Sequence, residues 1–202
     1  MGIPNLSSTA YWAKEAFRDS RGAREWFTGV SAALKMVERA LPPSTSRVAH
    51  LGSGLSKFGN ALATRRPDIH VTNVDCSSDA LMRLRDASGP QPNVAYVRDD
   101  LGKSQLPSAA FDLVLDKGTL DVFEIGKQDV SYLTTVERIL RPGGIFYQVS
   151  DRAPEARDSL LLSDLWASAS WSPLSTDLSS YWDDDSGLFL YRCVVGASKR
   201  NG

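Results

Sequence analysis

The sequence predicts an α/β fold, a doubly wound and mostly parallel sheet with helices on both faces. Short apolar runs alternate with segments of helical spacing through the middle of the 202-residue chain. One apolar run, 47–51, ends at the glycines Gly52 and Gly54, just before a helical segment. Another ends at Asp75, 21 residues after Gly54. Strands separated by helices favour parallel pairing, because each helix carries the chain back to the same edge of the sheet.

The composition indicates one ordinary globular domain, predicted to span residues 1–202. Its 42% hydrophobic and 23% charged residues are close to the average for globular proteins. The net charge is −1, so no attraction to nucleic acid or to an anionic membrane is predicted. Cys76 and Cys193 are far apart and expected to be reduced, which favours the cytoplasm, or the mitochondrion if a transit peptide was removed. The two histidines lack ligand spacing, so no metal is expected.

Two helices are predicted before the first strand, over 10–19 and 24–41. Pro42 ends the second, because proline breaks the helical hydrogen-bond ladder. Residues 1–44 are therefore predicted to form an N-terminal helical lid on a core that spans 45–202. In this core we expect strands at 48–51, 71–74, 94–97, 111–115 and 145–149, and helices at 57–65, 78–86 and 130–140.

The C-terminal part departs from this alternation. Residues 152–168 are predicted as a helix, and the runs 171–178 and 188–195 as strands. The stretch between the two runs, 179–187, contains three consecutive aspartates and a glycine and predicts a solvated turn. Two strands joined in this way form an antiparallel hairpin.

The glycine turn and Asp75 together predict a site for a nucleoside. Backbone N–H groups at the start of a helix attract polar or anionic groups, and glycine lets a ligand lie close to the backbone. A carboxylate at the tip of the second strand is placed to accept hydrogen bonds from a ribose diol. A turn or helix-capping role before Ser77 is the alternative for Asp75. Lys57 stands in place of the third glycine of a dinucleotide fingerprint, which disfavours NAD.

Five motifs carry a resemblance to a known family: Tyr11-Trp12, Glu25-Trp26-Phe27, LGSGLS at 51–56, LDKGTLD at 115–121 and LRPGG at 140–144. With them the chain resembles the class I S-adenosylmethionine-dependent methyltransferases, and more narrowly the small lysine methyltransferases of the elongation factor 1A and citrate synthase group. DKGTLD is the most specific of the five. The resemblance implies a Rossmann-like sheet of seven strands with an antiparallel last strand, and S-adenosylmethionine as cofactor. His50 and Ala16 depart from the family pattern, which has an acid at the first position in many class I enzymes and an aromatic residue at the second in the lysine methyltransferase group.

The same resemblance implies the site residues. Asp100 would accept a hydrogen bond from the adenine amino group, with Asp99 as the alternative. Asp121 and Asp116 are predicted as catalytic acids, since carboxylates near the path of the methyl group stabilise a cation and can relay a proton. A helix N-cap is the alternative role for Asp121, and core packing is the alternative for the aromatic residues. The residues predicted to bind the cofactor are Trp12, Trp26, Gly52, Gly54, Asp75, Cys76, Asp100, Leu101 and Lys117.

Protein-lysine methylation is therefore the predicted function, with a translation factor or a metabolic enzyme as the expected partner. Two alternatives stay open at this point. A small-molecule O-, N- or S-methyltransferase would have a closed apolar pocket beneath Trp12, Trp26 and Trp171. A non-catalytic module would bind the cofactor without turning it over, and His50 and Ala16 are the features that favour it.

Overall fold

The computed structural model of the protein describes residues 11–12, 30–174 and 188–196. Its strands are β1 Arg47–Leu51, β2 His70–Asp75, β3 Val94–Arg98, β4 Phe111–Lys117, β5 Leu140–Ser150, β6 Trp166–Leu174 and β7 Leu188–Val195. They form one seven-stranded sheet in the order β3-β2-β1-β4-β5-β7-β6. Strands β1 to β5 pair in parallel, whereas β7 is antiparallel to both β5 and β6. The predicted fold class and the antiparallel C-terminal hairpin are confirmed.

Helices cover both faces of the sheet. They are α1 Val30–Ala40, α2 Phe58–Arg65, α3 Ser78–Ser88, α4 Thr119–Ile125, α5 Asp129–Ile139 and the short α6 Asp158–Leu161. Helices α1 and α2 bury their apolar side chains on one face, in a core that includes Leu34, Val37, Phe58, Leu62, Leu113 and Leu115. Helices α4 and α5 cover the other face, with a core that includes Ala49, Val114, Leu120, Tyr132, Val136 and Phe146. Burial of each large apolar side chain stabilises the fold by about 1.5–3 kcal/mol.

Alternation along β4 decides which way its last two residues face. Leu113 and Leu115 lie in the core under α1 and α2, and Val114 lies in the core under α4 and α5. By the same two-residue period, Asp116 faces α4 and α5, and Lys117 faces the opposite side. The DKGTLD segment therefore leaves the sheet at the edge where the parallel strands end, with charged residues directed to both faces.

The predicted helix over 152–168 is wrong. The chain forms a 3-10 turn at Pro154–Ala156 and one turn of helix in α6, and β6 then begins at Trp166. Trp166 stacks on Phe146 with ring centroids 5.9 Å apart, and β6 pairs along the whole of β7. Pairing with an apolar neighbour strand thus overrides the helical spacing of this segment. Because β6 is an edge strand, Pro173 fits within it.

Several predictions fall outside the described residues. Of the predicted helix at 10–19 only Tyr11 and Trp12 are described, and both are helical. The first part of the helix at 24–41, with Trp26, and the acidic turn at 179–187 are not described. Within the described residues, no helix combines the length and the apolar character that a membrane crossing requires.

Candidate active site

The loop between β1 and α2 is tied to the end of β2. Gly52 and Gly54 both have positive φ, +59° and +51°. The Ser53 N–H donates to the carbonyl of Val74 at 3.0 Å. The Gly54 N–H donates to Oδ2 of Asp75 at 2.8 Å. The turn is therefore fixed by backbone and carboxylate contacts with β2, and we call residues 52–54 the cofactor loop.

The two glycines of the cofactor loop differ in what surrounds them. A Cβ at Gly52 would lie 2.1 Å from Oγ1 and 2.7 Å from Cγ2 of Thr119, the first residue of α4. The Thr119 hydroxyl donates to the carbonyl of Leu51 at 3.0 Å, so its side chain is held in that place. A Cβ at Gly54 would meet none of the described residues within 4 Å. The absence of a side chain at Gly52 thus leaves room for Thr119, whereas Gly54 borders open space that suits a ligand.

Asp75 lies buried at the end of β2, as predicted. Its Oδ1 accepts from the Ser77 N–H at 2.8 Å, and its Oδ2 accepts from Gly54. Burial raises the pKa of Asp75, and the two backbone donors oppose that rise. Ser77 itself caps α3, since its hydroxyl accepts from the Ala80 N–H at 3.2 Å. Asp75 is therefore not the helix cap but the joint between the cofactor loop and the turn after β2, and its remaining lone pairs suit ribose hydroxyls.

Cys76 follows Asp75 and is half-buried. Burial and the neighbouring Asp75 carboxylate raise the pKa of its thiol to about 12. The side chain is therefore a neutral thiol at physiological pH, and its predicted contact with the cofactor stays a prediction.

The two acids after β3 have different surroundings. The Asp99 carboxylate accepts from the Ser104 hydroxyl at 2.6 Å and from the Gln105 N–H at 3.2 Å, so it closes its own loop. Asp100 is exposed, and its Oδ1 accepts from the Gly102 N–H at 3.0 Å. Leu101 is buried in the core under α4 and α5. The geometry favours Asp100 over Asp99 as the acid available to a ligand.

Asp116 anchors the start of α4. Its carboxylate is fully buried and accepts from the N–H groups of Thr119 and Leu120, both at 2.9 Å. The Tyr132 hydroxyl on α5 donates to Oδ2 at 2.5 Å. Burial raises the pKa of Asp116 to about 7, although the Tyr132 bond opposes the rise. The alternative in which Asp121 is the N-cap is wrong, because Asp116 accepts the free N–H groups of this helix.

Asp121 lies in the first turn of α4 and is bonded on the side away from the cofactor loop. Its Oδ1 accepts from the Ser150 hydroxyl at 2.7 Å and from a guanidinium nitrogen of Arg157. Its Oδ2 accepts from the Gln148 side chain at 3.2 Å. The carboxylate therefore has protein partners at both oxygens, and its charge is opposed by a buried arginine. This geometry favours a positioning role over the predicted role of catalytic acid.

Lys117, Trp12 and Trp26 are the remaining predicted site residues, and Trp171 belongs to the small-molecule alternative. Lys117 is buried at the end of β4 on the face opposite Asp116. Trp12 packs edge-on against Tyr11, with ring centroids 5.0 Å apart. Trp171 is exposed on the edge strand β6 and contacts Phe189 edge-on at 5.7 Å. Trp26 is not among the described residues.

Sequence reasoning missed a polar network beneath the cofactor loop. Nδ1 of the buried His50 lies 3.1 Å from Oδ1 of Asn73, and the Asn73 amide donates to Asn60 on α2 at 3.0 Å. A Cβ at Gly59 would lie 2.5 Å from Asn73 Oδ1, so Gly59 lets α2 approach this network. His50 therefore joins β1, β2 and α2 inside the core. His50 comes two residues after Val48, so the alternation along β1 could have predicted that both side chains face the core under α1 and α2.

Comparisons with known proteins agree with the fold and the site. The family profile described as "Methyltransferase domain" matches residues 49–148. EEF1A lysine methyltransferase 4 from Bos taurus is 32% identical over 146 residues, which is 66% of this chain and 56% of that protein. A mitochondrial citrate synthase-lysine N-methyltransferase from Danio rerio is 28% identical over 182 residues, 77% of this chain and 71% of that protein. The eEF1A lysine and N-terminal methyltransferase from Mus musculus is 27% identical over 151 residues, 73% of this chain and 21% of that protein.

Solved structures show the same fold. The N-methyltransferase NodS from Bradyrhizobium japonicum, in complex with S-adenosylhomocysteine, has a TM-score of 0.69 at 16% identity and covers 91% of this chain and 98% of its own. The cyclase SpnF has a TM-score of 0.64 at 15% identity, over 95% of this chain and 93% of its own. At these identities the likeness shows the fold alone, and a cyclase among the neighbours shows that this fold carries more than one chemistry.

The chain carries a methyltransferase domain, which the family profile matches over residues 49–148, and its sheet order agrees with the class I S-adenosylmethionine-dependent methyltransferases. Within that class it is similar to the lysine methyltransferases of eEF1A and citrate synthase, and it spans about a fifth to about seven tenths of the length of the three relatives described above.

The residues present fit S-adenosylmethionine, the cofactor of this class. A buried carboxylate at Asp75, an exposed one at Asp100 and open space beside Gly54 stand at the carboxyl ends of neighbouring strands. The described residues contain no cluster of side chains that suits a metal ion.

Proposed function

We propose that the protein transfers a methyl group from S-adenosylmethionine to a lysine side chain of a protein substrate. The observation that carries the proposal is the DKGTLD segment, since its helix α4 packs directly on the cofactor loop through Thr119 and Gly52. Similarity to lysine methyltransferases over 66–77% of the chain supports the choice of acceptor. A translation factor or a metabolic enzyme is the proposed partner, because the names of those relatives specify eEF1A and citrate synthase.

We assign the cofactor to the carboxyl edge of β1, β2 and β3. Asp75 would hold the ribose hydroxyls, and Asp100 the adenine amino group, with Leu101 beneath the base. The backbone at Gly52 and Gly54 would meet the amino-acid portion, and Cys76, Lys117, Trp12 and Trp26 stay proposed contacts. Bound there, the cofactor would supply a methyl group on a positively charged sulfur; the neutral amine of a deprotonated lysine would accept the methyl group as S-adenosylhomocysteine leaves.

Asp116 and Asp121 act in this proposal by holding α4. Both carboxylates accept several hydrogen bonds from the protein, which leaves them poorly placed to take a proton from a lysine ammonium. The predicted catalytic role of Asp121 is tested by Asp121→Asn. A catalytic acid predicts a fall in kcat with unchanged binding of S-adenosylhomocysteine, whereas a positioning residue predicts that both decline.

We further propose that residues 1–44 form a lid over the core 45–202.

We also propose that the protein resides in the cytoplasm. Neither cysteine forms a disulfide, which supports a reducing compartment. The mitochondrion is the alternative, since the Danio rerio relative is mitochondrial by name. Microscopy of the tagged full-length protein distinguishes the two compartments.

Methyl-labelled S-adenosylmethionine, purified protein and a whole-cell extract test the proposed function. We expect label in a discrete protein band that resists base treatment, and mass spectrometry of that band should place the methyl group on lysine. A matched Gly54→Ala sample should lose the label, since a Cβ there would fill the space beside the loop. Label confined to the small-molecule fraction, or none in either fraction, would overturn the proposal.

A further inference from the structure

An ionic cluster around a buried arginine lies behind α4, on the side away from the cofactor loop. It consists of Asp121 and Glu124 on α4, and of Arg152 and Arg157 in the connection after β5. The Arg157 side chain is 0% exposed, which is rare for a residue of this type. Its two terminal nitrogens pair with Asp121 and, at 2.6 Å, with Oε1 of Glu124.

Arg157 also joins α4 to two strands. One terminal nitrogen donates to the Ser150 hydroxyl at 2.6 Å, at the end of β5. The guanidinium carbon lies 5.6 Å from the ring centroid of Tyr191 on β7, and the Tyr191 hydroxyl donates to the Arg152 carbonyl at 2.6 Å. The guanidinium is thus the point where α4, β5, β7 and the connection after β5 meet.

The opposite side of α4 touches the cofactor loop. Thr119 bonds the Leu51 carbonyl and fills the space in front of Gly52. Asp121 and Glu124 are three residues apart in this seven-residue helix, so they lie about one turn apart on the same side. A shift of this short helix at its ionic contacts therefore moves the residue that packs on the loop.

We propose that Arg157 is a positioning residue for the cofactor loop, acting through Asp121, Glu124 and α4. Two carboxylates face two guanidinium groups within the cluster, and the exposed Asp151 adds a negative charge close to Asp121 and both arginines. Without Arg157 the two acids would still have Arg152 as a cation, but its Nε lies 3.8 Å from Asp121 and 3.5 Å from Glu124 and its side chain is 39% exposed. Water and repulsion between the two acids would then loosen α4. The inference concerns the cofactor half of the proposed function and is independent of the methyl acceptor.

The test compares Arg157→Lys and Arg157→Met with Arg152→Met as the matched control. The lysine variant keeps the charge but cannot pair with both acids and Ser150 in one fork. We expect both Arg157 variants to bind S-adenosylhomocysteine about 10- to 100-fold more weakly by calorimetry, the scale of a small misplacement. Arg152→Met should stay within about threefold of the original protein, since its contacts are longer and exposed.

Amide hydrogen exchange of the protein without cofactor gives a second readout. Residues 51–56 and 117–122 should exchange faster in Arg157→Lys, while residues 70–75 of β2 keep their protection. A folded Arg157→Lys protein with unchanged binding and unchanged exchange at 51–56 would overturn the inference. If Arg157→Met does not fold, the lysine variant alone decides. Since neither measurement involves an acceptor, a failure to methylate lysine would leave this result unaffected.

Discussion

Alanine at Gly52 should destabilise the protein far more than alanine at Gly54. Both residues adopt left-handed backbone conformations, with φ of +59° and +51°, so either substitution introduces the same kind of strain. The surroundings differ, because a Cβ at Gly52 would lie 2.1 Å from Thr119 Oγ1, while a Cβ at Gly54 would meet none of the described residues within 4 Å. The pair therefore separates backbone strain from steric conflict within a single loop.

The magnitudes follow from these contacts. Left-handed strain costs about 1–2 kcal/mol at either glycine. Gly52→Ala adds overpacking against a β-branched side chain, about 1–3 kcal/mol, and loss of the bond from Thr119 to the Leu51 carbonyl, about 0.5–1.5 kcal/mol. We expect a loss in unfolding free energy of about 3–6 kcal/mol for Gly52→Ala and of about 1–2 kcal/mol for Gly54→Ala.

Equilibrium denaturation in urea measures both losses, and calorimetry with S-adenosylhomocysteine measures binding. Gly54→Ala should weaken binding although it costs less stability than Gly52→Ala, because its Cβ occupies the open space beside the loop. The double variant Gly52→Ala/Thr119→Ala should recover at least about 1 kcal/mol relative to additivity, since it removes the two closest atoms. Equal destabilisation by the two alanines, or strict additivity in the double variant, would refute the packing argument.

Two further predictions concern the acids of the candidate site. Asp100→Ala should weaken binding of S-adenosylhomocysteine about tenfold with little change in melting temperature. Asp99→Ala should instead lower the melting temperature, because the Asp99 carboxylate closes its loop through Ser104 and Gln105. The reverse pattern would assign the adenine contact to Asp99. Asp75→Asn should cost about 1–3 kcal/mol of stability and also weaken binding, because an amide supplies one acceptor where two N–H donors are in place. Denaturation and calorimetry check both effects, and unchanged binding in a folded Asp75→Asn protein would contradict the ribose assignment.

The strands were largely predictable from the sequence, because a short run of apolar residues predicts a buried strand. β7 was predicted over 188–195 and has those bounds, since Tyr191, Cys193 and Val195 enter the core under α4 and α5 and Leu190 enters the core on the other face. β4 was predicted to end at Leu115 and continues to Lys117. Charged residues end a strand in a sequence pattern, yet Asp116 and Lys117 still pair with Gln148 and Val149 of β5.

What the sequence did not reveal depends on contacts between distant segments. Helix α4 has seven residues, too few to show a clear helical period in the sequence. It begins after Gly118, whose φ is +87°. Its start is stabilised by Asp116, which in turn accepts a hydrogen bond from Tyr132 on the next helix. Arg157 meets its partner Asp121 across 36 residues, from a segment predicted as helix. No local pattern distinguishes such an arginine from an exposed one.

The glycine motif illustrates a subtler difference between pattern and structure. The sequence explains both glycines by a ligand that needs to approach the backbone. In the structure that explanation suits Gly54, while the side chain nearest to Gly52 belongs to the DKGTLD helix. Two motifs that the sequence presents as separate signals are therefore one packed unit, and a change in either should alter the other.

The buried Asp116 should make stability depend on pH in a direction that is unusual for an aspartate. Its pKa rises from 3.8 to about 7 on folding, mainly through burial. Between these values the folded protein binds more protons than the unfolded chain, so stability falls as pH rises. From pH 5 to pH 8 the loss attributable to this group is about 2–3 kcal/mol.

Urea denaturation of the original protein and of Asp116→Asn between pH 5 and pH 8 tests this dependence. The variant loses a carboxylate that accepts hydrogen bonds from three donors, so it should be less stable than the original protein at every pH. Its stability should, however, decline less steeply as the pH rises. Other groups that titrate in this range are common to both proteins and cancel in the difference between them. Tyr132→Phe is the matched control, because loss of a donor that lowers the pKa of Asp116 should shift the decline to higher pH. Parallel curves for the original protein and Asp116→Asn would mean that this carboxyl stays ionised across the range, and the burial argument for it would be wrong.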